Sequence, residues 1–282
     1  MNILFEAMSW SVRGMIFALG LRAAWSDVNF LWRQPGLLVR SLLAMYVVIP
    51  VFAVMMVKTV DLPQTTRVAV LVIAISAGAP LVPRRLLGAG GDPRYVLSLA
   101  VTSSVLAIVT VPLSVAALSR IFGVTAGVDP AAVAGLIAKS FLLPFLAGVA
   151  VHAIRPAIAD RIVAPVTTAA LVVLALCLAV ALVGSIGLVI ENGLRSFLAL
   201  AALTFTAIIS GHLLGGPNLE DRVSLGVLCA TRHVGLVMMI AFALVPSRGA
   251  LAVISAYVIA ALLVSTPYVM WSRKRLHALA AA

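Results

Sequence analysis

An arginine stands in the middle of an apolar stretch near the C-terminal end of the chain, in the segment Cys229-Ala230-Thr231-Arg232-His233-Val234-Gly235. A guanidinium at the centre of a bilayer costs about 2.5 to 3.5 kcal/mol even on the lenient insertion scale, so the position of Arg232 requires a reason. Arg232 could bind an anion through charge-assisted hydrogen bonds, or it could snorkel or cap the carbonyl groups of a broken helix. His233 is a weaker indication, because a lone helical histidine is more often a packing residue.

A second interruption lies in the apolar stretch that contains Ser76-Ala77-Gly78-Ala79-Pro80-Leu81-Val82-Pro83-Arg84-Arg85. Gly78 loosens the backbone, and Pro80 and Pro83 each remove a hydrogen-bond donor and clash with the preceding turn. Irregular backbone at membrane depth is tolerated only where it packs in protein or lines a cavity, so breaks point to binding sites. A simple proline kink is the alternative. We expect a substrate site formed by Gly78, Ala79, Pro80, Pro83, Thr231, Arg232 and His233.

The charged residues are distributed unevenly. All nine acidic residues are predicted to lie at helix ends or in loops, whereas Lys139 lies about a third of the way through an apolar stretch. This excess of positive charge favours an anion as the partner, with Lys139 as the weaker candidate contact. A lysine in this position could also snorkel or lose its proton. We expect no metal site and no cofactor, because no carboxylate lies deep enough to hold a hard cation.

The composition places these residues in a membrane. The chain has 282 residues, of which 63% are hydrophobic and only 10% charged. Since about 20 apolar residues span the hydrocarbon core as a helix, the sequence predicts one all-α transmembrane domain over residues 1–282. Nine helices are expected near residues 3–21, 37–58, 64–90, 94–119, 131–153, 160–187, 194–214, 219–246 and 249–271.

The positions of lysine and arginine predict the orientation. The net charge of +11 comes from basic residues scattered at the ends of apolar runs, which argues against nucleic acid as a partner. If the N-terminus lies outside, twelve basic residues fall on the inner side and five on the outer side. The excess of basic residues on the cytoplasmic side therefore predicts an outside N-terminus and a cytoplasmic C-terminus in a cell membrane.

The chain carries signs of an internal repeat. Arg67-Val68 and Arg222-Val223 each open an apolar run 155 positions apart, and the same offset relates Val111-Pro112 to Thr266-Pro267. This offset aligns predicted helices 2, 3 and 4 with predicted helices 7, 8 and 9, which have the opposite orientation in the membrane. Inverted repeats of this kind have the transport site at their interface. We predict units of about residues 1–120 and 156–275, with helix 131–153 lacking a counterpart. Chance matches between runs rich in Ala, Val and Leu are the alternative.

Short segments along nearly the whole chain also match a known family. They are Gly20-Leu21-Arg22, Pro35-Gly36, Met45-Tyr46-Val47-Val48-Ile49-Pro50, Ser76 to Pro83, Gly91-Asp92, Val111-Pro112 and Thr231-Arg232-His233-Val234-Gly235-Leu236. Together they resemble the bile acid/sodium symporter superfamily. The resemblance implies a panel domain and a core domain, with two broken helices, here helices 3 and 8, that cross near the membrane centre. It also implies transport by alternating access.

This sequence departs from the sodium-coupled members that it resembles. Those members place Ser-Asn on the first crossing helix and Gln before the helix 2 proline, where this chain has Val82-Pro83 and Met45. On the second crossing helix they use Glu and, four residues later, Gln, where this chain has Leu228 and Arg232. The oxygen ligands that sodium needs are therefore absent at these positions, and an arginine repels a cation.

Three functions follow as hypotheses. The first is a secondary transporter that moves a small organic anion without the usual sodium sites. The second is a sodium/solute symporter with non-standard ligands, and the third is a membrane sensor or assembly subunit that transports nothing. An enzyme is disfavoured, because Ser210 and His212, the nearest approach to a nucleophile and base, lie two residues apart on a helix and face apart.

Overall fold

A computed structural model describes residues 2–23, 29–76, 91–122, 130–191, 193–232, 237, 241 and 247–280. Within these ranges the regular structure is helical and comprises nine helices, which confirms the predicted fold class. They are α1 (Asn2–Leu21), α2 (Pro35–Thr59), α3 (Gln64–Ile75), α4 (Pro93–Phe122), α5 (Pro130–Ile154), α6 (Pro156–Glu191), α7 (Gly193–Leu214), α8 (Leu219–Ala230) and α9 (Ser247–Ala280). A short 3-10 turn, Leu31–Arg33, precedes α2.

The outer surface of the bundle is apolar. Helices α2, α4, α6, α7 and α9 each contain a stretch that is long and apolar enough to cross a membrane. Large apolar side chains point outward from them, including Met55, Leu113, Val183, Phe205 and Leu263. Contact with lipid removes the cost that such a surface would have in water. These features are those of a polytopic membrane protein.

Two helices extend at least four residues beyond a predicted end. Helix α6 begins at Pro156 rather than near residue 160, and α9 runs to Ala280, beyond the predicted end near 271. The predicted ends lie near charged residues such as Asp160 and Arg273. Charge ends the part of a helix that lies in hydrocarbon, but the backbone hydrogen bonds of the helix can continue past charged residues into the aqueous phase.

Helices α3 and α8 are both half-length. Each has 12 residues, and therefore extends about 18 Å, compared with about 30 Å for the hydrocarbon core. The backbone turns extended at Ser76 (φ −70°, ψ 154°) and at Thr231 (φ −103°, ψ 98°). Both helices thus stop inside the segments predicted to be interrupted. Their crossing stays a prediction, because residues 77–90 and 233–236 lie outside the described part of the chain.

The bounds of these elements are related by the offset seen in the sequence. Adding 155 to both bounds of α3 gives both bounds of α8, and adding it to the last residue of α2 gives the last residue of α7. The arginines related by this offset also behave alike. Arg67 Nε donates to the Leu62 carbonyl and Arg222 Nε to the Gly216 carbonyl, each at 2.7 Å. These matches support the inverted repeat, which stays a prediction.

Glycine permits close packing at two helix pairs. Helix α1 lies against α5 and α6, and a Cβ on Gly148 would meet the backbone of α1 at Phe17, Leu21 and Gly20. Helix α7 lies against α8, where a Cβ on Gly211 would meet the Gly226 backbone at 2.6 Å. Backbones that approach this closely need a residue without a side chain at the contact, as is common between membrane helices.

Candidate functional site

Arg232 lies at the point where α8 ends, and it is the largest side chain in the fully buried core, with 2% of its surface exposed. Its Nη1 donates to the carbonyl oxygen of Ser76 at 2.6 Å, and its Nη2 reaches that of Met45 at 3.4 Å. One guanidinium therefore ties the ends of α3 and α8 to the middle of α2. The geometry corresponds to the carbonyl-capping alternative considered for Arg232.

The Ser76 carbonyl is available because α3 ends there. The last carbonyls of a helix lack the donors that a further turn would supply. Ser76 turns its own N–H and hydroxyl back onto the Ile73 carbonyl, at 3.3 and 2.8 Å. The Ser76 carbonyl oxygen takes no part in these hydrogen bonds. Because Ser76 is fully buried, that oxygen needs a donor from the protein. Arg232 supplies this donor.

The Met45 carbonyl is available because a proline, Pro50, stands where its hydrogen-bond donor in α2 would be. Residues Ala44–Val48 adopt π-helical geometry, in which the N–H of Ile49 bonds to the Ala44 carbonyl five residues back. In the same register the donor for the Met45 carbonyl would be residue 50, which is a proline without an N–H. A π-helical turn of this kind often marks a functional site. Here it leaves a buried carbonyl that faces Arg232.

Tyr257 on α9 completes the site and is not among the residues that the sequence predicts for it. Its hydroxyl accepts a hydrogen bond from the Arg232 backbone N–H at 3.1 Å and donates to the Ala230 carbonyl at 2.9 Å. These contacts satisfy two backbone groups that the end of α8 leaves without helical partners. A single tyrosine among alanine, valine and isoleucine carries no signal for this role. It becomes visible only when α9 is packed against the break.

We expect Tyr257→Phe to loosen the end of α8. The change removes the hydroxyl and leaves the Arg232 N–H and the Ala230 carbonyl without this partner, at a cost of about 1–3 kcal/mol. Unfolding in detergent should occur at a lower temperature, and amide exchange at residues 230–232 should accelerate. Tyr95→Phe is the matched control. The Tyr95 hydroxyl is also buried, but its partner is the Ser41 hydroxyl, at 2.7 Å, and not a group at the end of α8. Equal amide exchange in the two variants would contradict the role assigned to Tyr257.

A small cavity lies beside the guanidinium. It is lined by Ile49, Ile73, Leu203, Thr204, Ala207, Cys229, Ala230, Arg232 and Tyr257. The cavity has a volume of about 10 Å³, which is room for a single water molecule. The site is therefore closed in this conformation, and a solute of several atoms requires the surrounding helices to move.

The charge of Arg232 has no nearby carboxylate among the described residues. The other buried charged side chain there is Asp221, which is 8% exposed. It lies in the first turn of α8 and accepts a hydrogen bond from Asn218 at 3.1 Å. Since Arg232 follows the last turn of the same helix, the two are separated by about 15 Å along its axis. The buried guanidinium is thus held by backbone carbonyls and not by an ion pair.

A larger vestibule opens at one end of the bundle. Its volume is about 650 Å³, and it is lined by Phe30, Gln34, Asp92, Arg94, Asn218, Leu219, Glu220, Asp221, Leu276 and Leu279. These residues come from the segment before α2, from the starts of α4 and α8 with the residues just before them, and from the end of α9. Three carboxylates and one guanidinium make its lining negatively charged. Arg94 pairs with Asp92 at 3.7 Å and lies over the Phe30 ring.

The structure brings together only part of the predicted site. Thr231 is the residue at which α8 ends, and its hydroxyl donates back to the Val227 carbonyl at 2.7 Å. Lys139 is exposed on α5 and does not line the cavity at Arg232, a placement that suits the snorkelling alternative. The other candidates, Gly78, Ala79, Pro80, Pro83 and His233, lie outside the described residues.

The arrangement defines a class of protein. Within the described ranges, nine helices, five of them long and apolar enough to cross a membrane, enclose a buried polar site at the ends of two half-length helices, which is the build of a membrane transporter. The model of the sodium bile acid symporter family matches residues 12–192, which is more than half of the chain, and the protein belongs to this family. Membership indicates a transporter. No curated protein matches the chain.

Proposed function

We propose that the protein is a secondary transporter that moves a small organic anion by alternating access, without sodium as the coupling ion. The observation that carries this proposal is the buried guanidinium of Arg232, which bonds two backbone carbonyls and has no carboxylate partner in the described part of the chain. A buried positive charge that lacks an ion pair favours a negatively charged solute nearby. It also disfavours a second cation at the same place.

The closed site and the open vestibule support alternating access. The cavity at Arg232 holds about one water molecule, whereas the vestibule of about 650 Å³ opens at one end of the bundle. A solute site that is closed in one arrangement must open by relative movement of helices. In the orientation that we propose, with the N-terminus outside a cell membrane, the vestibule faces the cytoplasm.

The test is flux into proteoliposomes. Candidate anions come from a thermal-shift screen of radiolabelled carboxylates and sulfonates on the purified protein, and the best stabiliser is used as the probe. We expect equal flux in sodium and in choline buffers. Because the vestibule carries three carboxylates and one guanidinium, the apparent affinity for the anion should be weaker from that side. The assay therefore compares both faces of the vesicles.

Two results would overturn the proposal. A strict sodium requirement would favour the alternative of a sodium/solute symporter in which backbone oxygens hold the ion. Binding of an anion with no exchange across the membrane would favour a sensor or assembly subunit. Protein-free vesicles and vesicles with an irrelevant membrane protein control for leakage of the probe.

A further inference from the structure

We infer that the end of the bundle that carries the vestibule binds the headgroups of anionic phospholipids. The binding surface consists of two groups of exposed aromatic and basic residues, which are Trp32 with Arg33, and Trp271 with Arg273, Lys274 and Arg275. Phe30, beside the first group, and Leu276, directly after the second, line the same vestibule. Both groups therefore lie at the same end of the protein, although almost the whole chain separates them in sequence.

The basic residues near the end of α9 are available to a headgroup. Arg273, Lys274 and Arg275 are exposed, and within the described ranges none of them forms an ion pair. Ser272 is fully buried, and Leu276, four residues later on the same face, lines the vestibule. At about 100° per residue, the three side chains between them leave α9 on its other sides. The vestibule carboxylates thus lie on one side of α9 and the three positive charges on the others.

Trp271 places these charges at the level of the headgroups. Its side chain is 42% exposed, and its ring lies 5.8 Å from that of Tyr268 and 5.7 Å from that of His212. Tryptophan and tyrosine collect where hydrocarbon meets water. The basic residues follow two to four positions later, which is about 3–6 Å further along the helix axis. Since the polar layer on each side of the hydrocarbon core is about 5–7 Å thick, the three charges lie within it.

The 3-10 turn before α2 holds the second group in place. Leu31 is fully buried, and its N–H donates to the Ser98 hydroxyl at 3.0 Å, which fixes the turn to α4. The next side chain, Trp32, is 59% exposed, and Arg33 after it is exposed as well. A tryptophan beside a basic residue combines apolar contact with positive charge, and both attach a protein surface to an anionic membrane.

The test is a thermal-shift titration of the purified protein in detergent micelles. The micelles contain increasing fractions of phosphatidylglycerol, with phosphatidylcholine as the zwitterionic reference. We expect phosphatidylglycerol alone to raise the unfolding temperature in a saturable manner. In the triple variant Arg273→Gln/Lys274→Gln/Arg275→Gln, the half-maximal effect should need at least about tenfold more of this lipid, because each basic residue near an anionic surface strengthens attachment roughly fivefold. Equal titrations of the variant and the wild type would overturn the inference.

Lys58→Gln/Arg120→Gln/Arg195→Gln is the matched control variant. These three residues are also exposed, but they lie at the end of α2, near the end of α4 and at the start of α7, which is the opposite end of the bundle. The control loses the same net charge and should keep the wild-type titration. An equal loss in both triple variants would contradict a localised lipid site. An equal shift with glycerol 3-phosphate or polyglutamate would contradict a lipid as the partner.

Fluorescence quenching in vesicles gives a second measurement that does not depend on unfolding. Trp271 is kept as the only tryptophan, and the vesicles contain equal amounts of brominated phosphatidylglycerol or brominated phosphatidylcholine. We expect stronger quenching by the anionic lipid, and equal quenching by the two lipids once residues 273–275 are changed to glutamine. Equal quenching before that change would overturn the inference. None of these measurements uses a transported solute, so their outcome is independent of the proposed anion transport.

Discussion

Gly148→Ala is expected to push α1 away from α5 and to lower the stability of the protein sharply. A Cβ at this position would lie 2.8 Å from the Leu21 nitrogen and 2.9 Å from the Gly20 Cα, and it would also meet the Phe17 carbonyl. These atoms belong to backbone, so they cannot move aside as the end of a flexible side chain does. Overpacking of this kind costs about 1–3 kcal/mol, and more where two helix backbones must separate.

The measurement is the unfolding temperature in detergent, and α5 itself provides the control. Gly135 lies on the same helix, and a Cβ there would meet no atom of the described residues within 4 Å. Since alanine is the better helix former, by about 0.5–1 kcal/mol, Gly135→Ala should leave the protein unchanged or slightly more stable. The two substitutions are thus expected to change the unfolding temperature in opposite directions, or Gly135→Ala is expected to leave it unchanged. Similar unfolding temperatures would mean that α1 and α5 do not pack through these glycines.

Arg232→Met is expected to abolish most of the transport. Methionine is uncharged and matches the arginine side chain as far as Nε, so it fills part of the space while it leaves the Ser76 and Met45 carbonyls without their donor. Each buried carbonyl that loses its partner costs about 1–3 kcal/mol. Because about 1.4 kcal/mol corresponds to a factor of ten in rate, flux should fall at least roughly tenfold if the wild-type arrangement is needed during the cycle.

Transport and stability must be measured together for this variant. Arg222→Met is the control, because Arg222 is only half-buried and donates to the carbonyl of Gly216 at the start of α8. It should lose some stability and keep more of its flux than Arg232→Met at equal amounts of folded protein in the vesicles. Flux in Arg232→Met close to the wild-type value would show that the buried arginine is not part of the transport path.

The fold could be predicted well because its signals are strong and local. Long apolar runs gave the nine helices, and glycine, proline and a buried charge marked the two interruptions. Helix α3 ends at Ile75 and α8 at Ala230, where these residues predict the interruptions. The predicted start of α6 and the predicted end of α9 were wrong, because charged residues mark the boundary of the membrane and not the last hydrogen bond of a helix.

The site was harder to predict because its main partners are backbone atoms. The sequence identifies Arg232 as unusual, but a carbonyl oxygen carries no sequence signature, and the two that Arg232 contacts lie 156 and 187 positions away. Pro50 offered a clue, since a proline inside a helix always frees a carbonyl of the preceding turn. Tyr257 offered none. The close contact of Gly148 with α1 was equally invisible, because it depends on which helices become neighbours.

The two half-length helices also set the electrical balance at the centre of the protein. The aligned peptide groups of a helix leave about half a negative charge at its C-terminus, so the ends of α3 and α8 together contribute about one. Arg232 lies where both helices end and offsets this partial charge, so that an anion of the kind proposed can approach the guanidinium. The same backbone with a neutral side chain at position 232 would repel anions and attract cations. A single residue thereby decides the sign of the charge that this pair of helices can accept.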